Sequence, residues 1–196
     1  MDNKIKVQII LGSTRQGRFG DKFANWMYEI AKEKEGLEVE LLDLRDYPLP
    51  FFDEPVSPAM SKGKYSNELA AKWAQKIGEA DAYIIATPEY NHGYPAVLKN
   101  ALDYVYSEWN NKPVAFISWG GVSAGTRAVQ QLRQVVIELQ MVPIRNGIHI
   151  PFSWNLVDAD GVIKPGAMDA QKVGADNLLN QLTWWAKILK EARENK

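Results

Sequence analysis

Five short apolar runs rich in β-branched residues alternate with five stretches of helical period, and that alternation restricts the fold more than any other feature of the chain. The runs are Ile5–Leu11, Leu37–Leu42, Ala82–Thr87, Val114–Trp119 and Val142–Ile150. Near-continuous apolar character, rather than strict polar–apolar alternation, is what a strand buried on both faces requires. The intervening stretches place apolar residues at i, i+3, i+4 and i+7, as along one side of a helix. Phe23, Trp26, Met27, Ile30 and Ala31 make the first such side, and Leu69, Ala70, Trp73, Ala74 and Ile77 the second. Val97, Leu98, Ala101, Leu102 and Val105 make the third, Ala128, Val129, Leu132, Val135, Val136 and Leu139 the fourth, and Leu178, Leu179, Leu182, Trp185, Ala186 and Leu189 the fifth. Alternation of this kind builds a parallel sheet covered on both sides, and right-handed crossovers leave few topologies. The expectation is an α/β fold: a three-layer sandwich with a five-stranded parallel sheet in the order 2-1-3-4-5, formed by residues 1–196 as one domain.

Charge and rare residues exclude several functions. The net charge of −1 offers no electrostatic attraction to nucleic acid or an anionic membrane. With no cysteine, disulfides, thiolate nucleophiles and iron–sulfur clusters are ruled out. His92 and His149 are the only histidines, too few for a zinc site built on His and Cys. No apolar run approaches membrane-spanning length and no signal-peptide core follows Met1, so a cytoplasmic location is expected.

Two segments interrupt the alternation. Arg45–Ser66 carries Pro48, Pro50, Pro55 and Pro58 with Phe51 and Phe52, and Pro151–Met168 is a second long excursion. Connections of that length are either functional or loosely packed.

In an open α/β sheet, ligands sit beyond the carboxyl ends of the strands, near the switch in strand order. The turns after strands one, three and four should therefore meet. The first, Gly12–Gly20, brings Ser13, Thr14, Arg15 and Arg18 to a helix start, where hydroxyls, N–H groups and guanidinium forks can hold phosphate. It matches neither G-x-G-x-x-G nor the Walker pattern, and a polar helix start with a surface arginine is the competing reading. The second, Thr87–Pro95, follows a buried strand with Pro88, Glu89, Tyr90, Asn91 and Tyr94, offering flat surfaces for an aromatic ring. A tyrosine-rich turn packed on its own helix is the alternative. The third, Ser118–Gly125, contains Gly120 and Gly121, which let backbone approach a ligand or simply permit a tight turn. Glu89 is the one carboxylate in this cluster, His92 reads as a loop hydrogen-bonder, and His149 as a structural residue of its strand.

The four stretches GSTRQGRFG, DLRDYPLPFFDEP, TPEYNHGYPAVLKNALDYV and SWGGVSAGTRAVQQLR occur in that order between Gly12 and Arg133. In them the chain resembles the NADPH-dependent FMN reductase family, a flavodoxin-like group that includes quinone and azo-dye reductases. The resemblance implies an FMN cofactor, NADPH or NADH as co-substrate, a small-molecule electron acceptor and a homodimer or homotetramer. By position it implies that Ser13, Arg15, Arg18, Phe19 and Gly20 hold the FMN phosphate. Pro88, Glu89, Tyr90 and Asn91 would line the isoalloxazine ring, and Gly120 and Gly121 its pyrimidine end. Many members have serine where Arg18 stands, so a charge replaces a hydroxyl here. Beyond Gly147 the resemblance is loose and transfers nothing. The implied chemistry is ping-pong hydride transfer to quinones, azo compounds or similar flat acceptors, the cofactor supplying the reactivity. Backbone donors near Gly120 and Gly121 would stabilise negative charge on the reduced flavin. No residue of the chain is assigned a catalytic or metal-binding role. An electron carrier or redox-sensing FMN module is the alternative, and the near-zero net charge speaks against it, because carriers steer by strong charge.

Overall fold

A computed structural model describes residues 4–18, 20–61 and 63–195. Strands β1 (Ile5–Leu11), β2 (Leu37–Asp43), β3 (Ala82–Pro88), β4 (Pro113–Trp119) and β5 (Val142–Ile150) form one parallel sheet in the order β2-β1-β3-β4-β5. The helices are α1 (Gly20–Lys32), α2 (Glu68–Gly78), α3 (Ala96–Asp103), α4 (Thr126–Glu138) and α5 (Lys172–Glu194). Class, strand order and strand positions thus agree with the sequence reading, the strand ends moving by a residue at most.

Successive side chains of each central strand point to opposite faces. Val7, Ile9, Ile84, Ala86, Ala115 and Ile117 face one apolar layer with α1 and α5, which supply Phe23, Met27, Leu178 and Leu182. Ile10, Tyr83, Ile85, Val114 and Phe116 face the other, closed by α2, α3 and α4 through Trp73, Leu98, Leu102 and Leu132. Both faces of β3 and β4 are buried throughout, which is why their sequences are continuously apolar. Pro143 lies in β5, an edge strand, where a missing N–H costs no ladder bond; the β4–β5 register slips between Val114 and Phe116. Leu69, expected on a core face, is exposed, and Val105 is buried beyond the end of the short helix α3.

The described residues of both excursions make specific contacts. Asn100 on α3 clamps the first: its Oδ1 accepts from Phe52 N at 2.9 Å and its Nδ2 donates to Pro50 O at 2.7 Å. Phe51 is left 84% exposed. After β5, a 3-10 turn at Ser153–Leu156 and an antiparallel bridge between Val157 and Ile163 lead to the buried Met168 and into α5.

Candidate cofactor site

Parallel strands put all their carboxyl ends on one edge, and the turns leaving β1, β3 and β4 converge there. Gly12 N–H donates to Ala86 O at 2.8 Å, locking the first turn beside β3. A Cβ on Gly12 would stand 2.9 Å from Leu98 Cδ2 and 3.3 Å from Ala86 O, so no larger residue fits without displacement. Ser13 is buried, its Oγ 2.8 Å from the Tyr90 hydroxyl, which links the first turn to the second.

The two arginines of the first turn have different partners. Arg18 lines the site, yet its guanidinium donates to Ser13 O and to both carboxylate oxygens of Asp43 at the end of β2, and its side chain is only 6% exposed. Burial pushes the Asp43 carboxyl up, but the hydrogen bonds from Arg18 and from Arg45 N prevail and hold it below the ordinary range. Arg45 adds a brace, donating to Arg15 O at 2.7 Å. Arg18 therefore clamps the turn, and only its Nε remains, buried and without a partner among the described residues. Arg15 is exposed, and its guanidinium has no partner among the described residues. The free cation at this helix start is Arg15. The N–H groups of Gly20 and Asp21, which open α1, likewise donate to nothing among the described residues. Phe19 lies outside the described residues.

In the second turn, Tyr90 and Gly93 exchange backbone hydrogen bonds of 2.8 and 2.9 Å around Asn91 and His92, whose φ values are 50° and 70°. Two consecutive left-handed residues are the signature of a type I′ turn. Asn91 sits in this turn and is not among the residues that line the cavity, whereas Pro88, Glu89 and Tyr90 are. The Glu89 carboxylate is spent on α4: it accepts from Arg127 Nε at 2.6 Å, Ser123 Oγ at 2.8 Å and Arg127 N at 3.2 Å. Burial raises its pKa and these bonds outweigh the effect, so it stays below the ordinary range and remains ionised. It ties two turns together and is not a free acid or base.

The third turn folds back on Ser118, whose Oγ donates to Ala124 O at 2.8 Å and lies 2.7 Å from His149 Nδ1. A hydroxyl has one proton to give, so His149 donates from Nδ1, which assigns its tautomer. Burial, then the charge of Arg133, lowers the His149 pKa, consistent with its reading as a structural residue. Gly125, at φ 81°, could not carry a side chain: a Cβ would meet Ser118 Cβ at 2.7 Å and Trp119 N at 2.9 Å. Gly120 N–H donates to Ile150 O at 3.2 Å, whereas the N–H of Gly121, which lines the cavity, donates to nothing among the described residues.

The three turns enclose a cavity of about 170 Å³, open on one side. Sequence reasoning missed three of its walls. Trp119 ends β4, with its indole against Gly20 and its ring centroid 5.8 Å from that of Phe23. Ser153 and Trp154 come from the excursion after β5. The doublet Gly120–Gly121 directly after Trp119 was the available signal for the first; nothing local marked the other two. Phe51, Phe52 and Tyr94 do not line the cavity.

A free guanidinium, unpaired helix-start amides and an orphaned buried Nε at one end suit a phosphate. Glycines and aromatic walls at the other suit a planar ring, so the donor set fits a phosphorylated heterocycle such as FMN. Fold and site together define the class: a flavodoxin-like protein with an open cleft at the carboxyl edge of its sheet.

Within that class the chain belongs to the NADPH-dependent FMN reductase family, whose sequence model matches residues 5–155, and it is an oxidoreductase using FMN and NAD(P)H. It is 39% identical over 148 residues to an NAD(P)H-dependent FMN reductase of Schizosaccharomyces pombe, covering 74% of each chain. It is 36% identical over 141 residues to an NADPH:quinone oxidoreductase of Arabidopsis thaliana, covering 70% of this chain and 69% of that one. In structure it resembles the flavoenzyme NAD(P)H:(acceptor) oxidoreductase FerB of Paracoccus denitrificans, with a TM-score of 0.72 at 24% identity over 93% of this chain and 97% of that one.

Proposed function

We propose that this protein carries two electrons from NADPH or NADH to quinones, azo compounds or similar flat acceptors, with donor and acceptor using the same open cleft in turn. The observation that carries the reading is the division of the cleft. Its candidate phosphate-binding charge, Arg15, has no partner among the described residues, while its carboxylate, Glu89, is held by Arg127 and Ser123. The walls thus bind and orient, and the one carboxylate among the described lining residues is not free to act as a base. When bound, FMN supplies the hydride-accepting and hydride-donating chemistry, and the protein supplies position and electrostatics.

Each part of the chain then has a task. Arg15 and the amides at the start of α1 hold phosphate, with Ser13 fixing the first turn through Tyr90. Tyr90 and the Gly120–Gly121 backbone flank the ring, and the Gly121 N–H is placed to stabilise negative charge that develops on it. Arg18 and Asp43 keep the first turn from collapsing when the cleft is empty. A cytoplasmic homodimer or homotetramer is part of the proposal, and light scattering of the purified protein tests the assembly.

The test is steady-state kinetics with FMN, NADPH or NADH, and a quinone or azo dye. Alternating use of one cleft gives parallel double-reciprocal lines; intersecting lines would refute the shared cleft. A protein that neither binds FMN nor oxidises NAD(P)H would refute the reading as a whole.

A further inference from the structure

The chain leaving β5 is held in a way that packing alone does not require. Phe152 adopts φ 44° and ψ 46°, the left-handed region that a non-glycine residue occupies only when its surroundings impose it. The imposing contacts are three backbone hydrogen bonds to the third turn: Gly120 N–H to Ile150 O, Phe152 N–H to Gly121 O and Ser153 N–H to Gly120 O, each 3.2 Å. This reversal turns Ser153 inward, to 1% exposure, and leaves the next residue, Trp154, 52% exposed on the cavity wall.

The indole is nonetheless packed on one side. Phe152 and Trp154 meet edge to face with centroids 5.9 Å apart and ring planes at 81°. Trp154 Cη2 lies 3.6 Å from where a Cβ of residue 121 would stand, so it rests over the Gly121 backbone. Its Nε1–H donates to nothing among the described residues. A large aromatic group packed on one face, half uncovered and with a free donor, is a surface that a ligand completes. Its place narrows the ligand further. Trp154 stands beside Gly121, on the β4–β5 side of the cavity, while Arg15 and Gly20 belong to the β1 turn.

We propose that Trp154 is a binding residue for the ring rather than the phosphate of the cofactor: an aromatic wall that contacts the planar heterocycle and, through the strap from Ile150 to Ser153, couples the end of β5 to the third turn. The inference rests on the FMN reading of the cleft. It gives the excursion after β5 a role in recognition.

Riboflavin, which has the ring but no phosphate, separates the two ends. Cofactor-free protein is titrated with riboflavin and with FMN, following flavin fluorescence. Trp154→Ala is expected to weaken both about tenfold, in keeping with the typical worth of an aromatic stacking partner. Trp154→Phe should restore most of the affinity for each. Arg15→Ala should weaken FMN and leave riboflavin unchanged. Trp154→Gln serves as a second truncation should the alanine variant fold poorly, and thermal melting of each variant establishes that it is folded. Wild-type affinity of folded Trp154→Ala or Trp154→Gln for riboflavin would overturn the proposal while leaving the cofactor reading intact. Loss of FMN binding without loss of riboflavin binding would overturn it too, by assigning Trp154 to the phosphate. Failure of the wild type to bind either flavin would remove the cofactor reading, and this inference with it.

Discussion

Gly20→Ala sets two opposed effects against each other at the helix start that faces the cleft. Alanine is favoured over glycine in a helix by about 1 kcal/mol, and less at the first position. Against this, a Cβ on Gly20 would fall within the Trp119 indole, 2.7 Å from Cε2 and 2.8 Å from Cη2. The indole cannot swing aside as a flexible side-chain tip could: Trp119 is 4% exposed and packs against Phe23. Overpacking of this kind costs about 1–3 kcal/mol. The overlap is deep and the indole confined, so packing should win, with a net loss of about 1 kcal/mol and a fall in Tm of about 2–4 °C for a chain of this size. Urea and thermal denaturation of the cofactor-free protein measure it. A double-mutant cycle with Trp119→Phe isolates the cause, because a smaller ring makes room; the pair should lose at least ~1 kcal/mol less than the sum of the two single changes. A more stable Gly20→Ala protein, or strict additivity with Trp119→Phe, would refute the packing argument.

The site's electrostatics allow further tests. Arg15→Ala should weaken FMN by about 1.5–3 kcal/mol, roughly tenfold to hundredfold, and leave the Tm of the cofactor-free protein within about 1 °C, since the side chain is exposed and unpaired. Asp43→Ala should be far more damaging, at about 3 kcal/mol or more by denaturation, because it strands the buried Arg18 charge. Asp43 and Glu89 both have folded-state pKa values below their ordinary ones, so their stabilisation is complete above the unfolded values of about 4 and is lost as pH falls through the folded ones. Acid melting below about pH 4 should accordingly be shallower in Asp43→Asn than in the wild type. Lys112 gives a slope of the same sign in a higher pH range, for a different reason. Burial, with Arg193 adding to it, pushes its ammonium down to about 8, so the unfolded chain binds the extra proton between that pH and about 10.4. Stability should therefore gain about 2–3 kcal/mol from this residue as pH rises from 8 to 10, a slope that Lys112→Met should abolish in pH-dependent denaturation.

The strands and the site's three turns were legible because their signals are local. Ile5–Leu11 and Ala82–Thr87 announce burial on both faces by composition alone, and the glycines at 120 and 121 mark a sharp exit from β4. Asn91 does not line the cavity, and the left-handed turn that holds it depends on both Tyr90–Gly93 hydrogen bonds, which no local pattern announces. Trp154 was invisible because its exposure follows from the left-handed backbone at Phe152 and from bonds to Gly120 and Gly121, more than thirty residues earlier.

By itself, then, the order of residues determined which segments are strands, which faces of the helices meet the sheet, and that three polar turns share one edge. Hydrophobic periodicity is a property of neighbours in sequence, and it survives without knowledge of the fold. Tertiary structure alone decided which charges are available. Arg18 and Arg15 look alike in the chain, but Asp43, 25 residues beyond Arg18, reaches it only because parallel pairing sets the ends of β1 and β2 side by side. Arg127 silences Glu89 across 38 residues for the same reason at β3 and β4. Ion pairing depends on distance in space, which no local pattern encodes, and among the described residues that distance leaves Arg15 as the cation of the cleft without a partner.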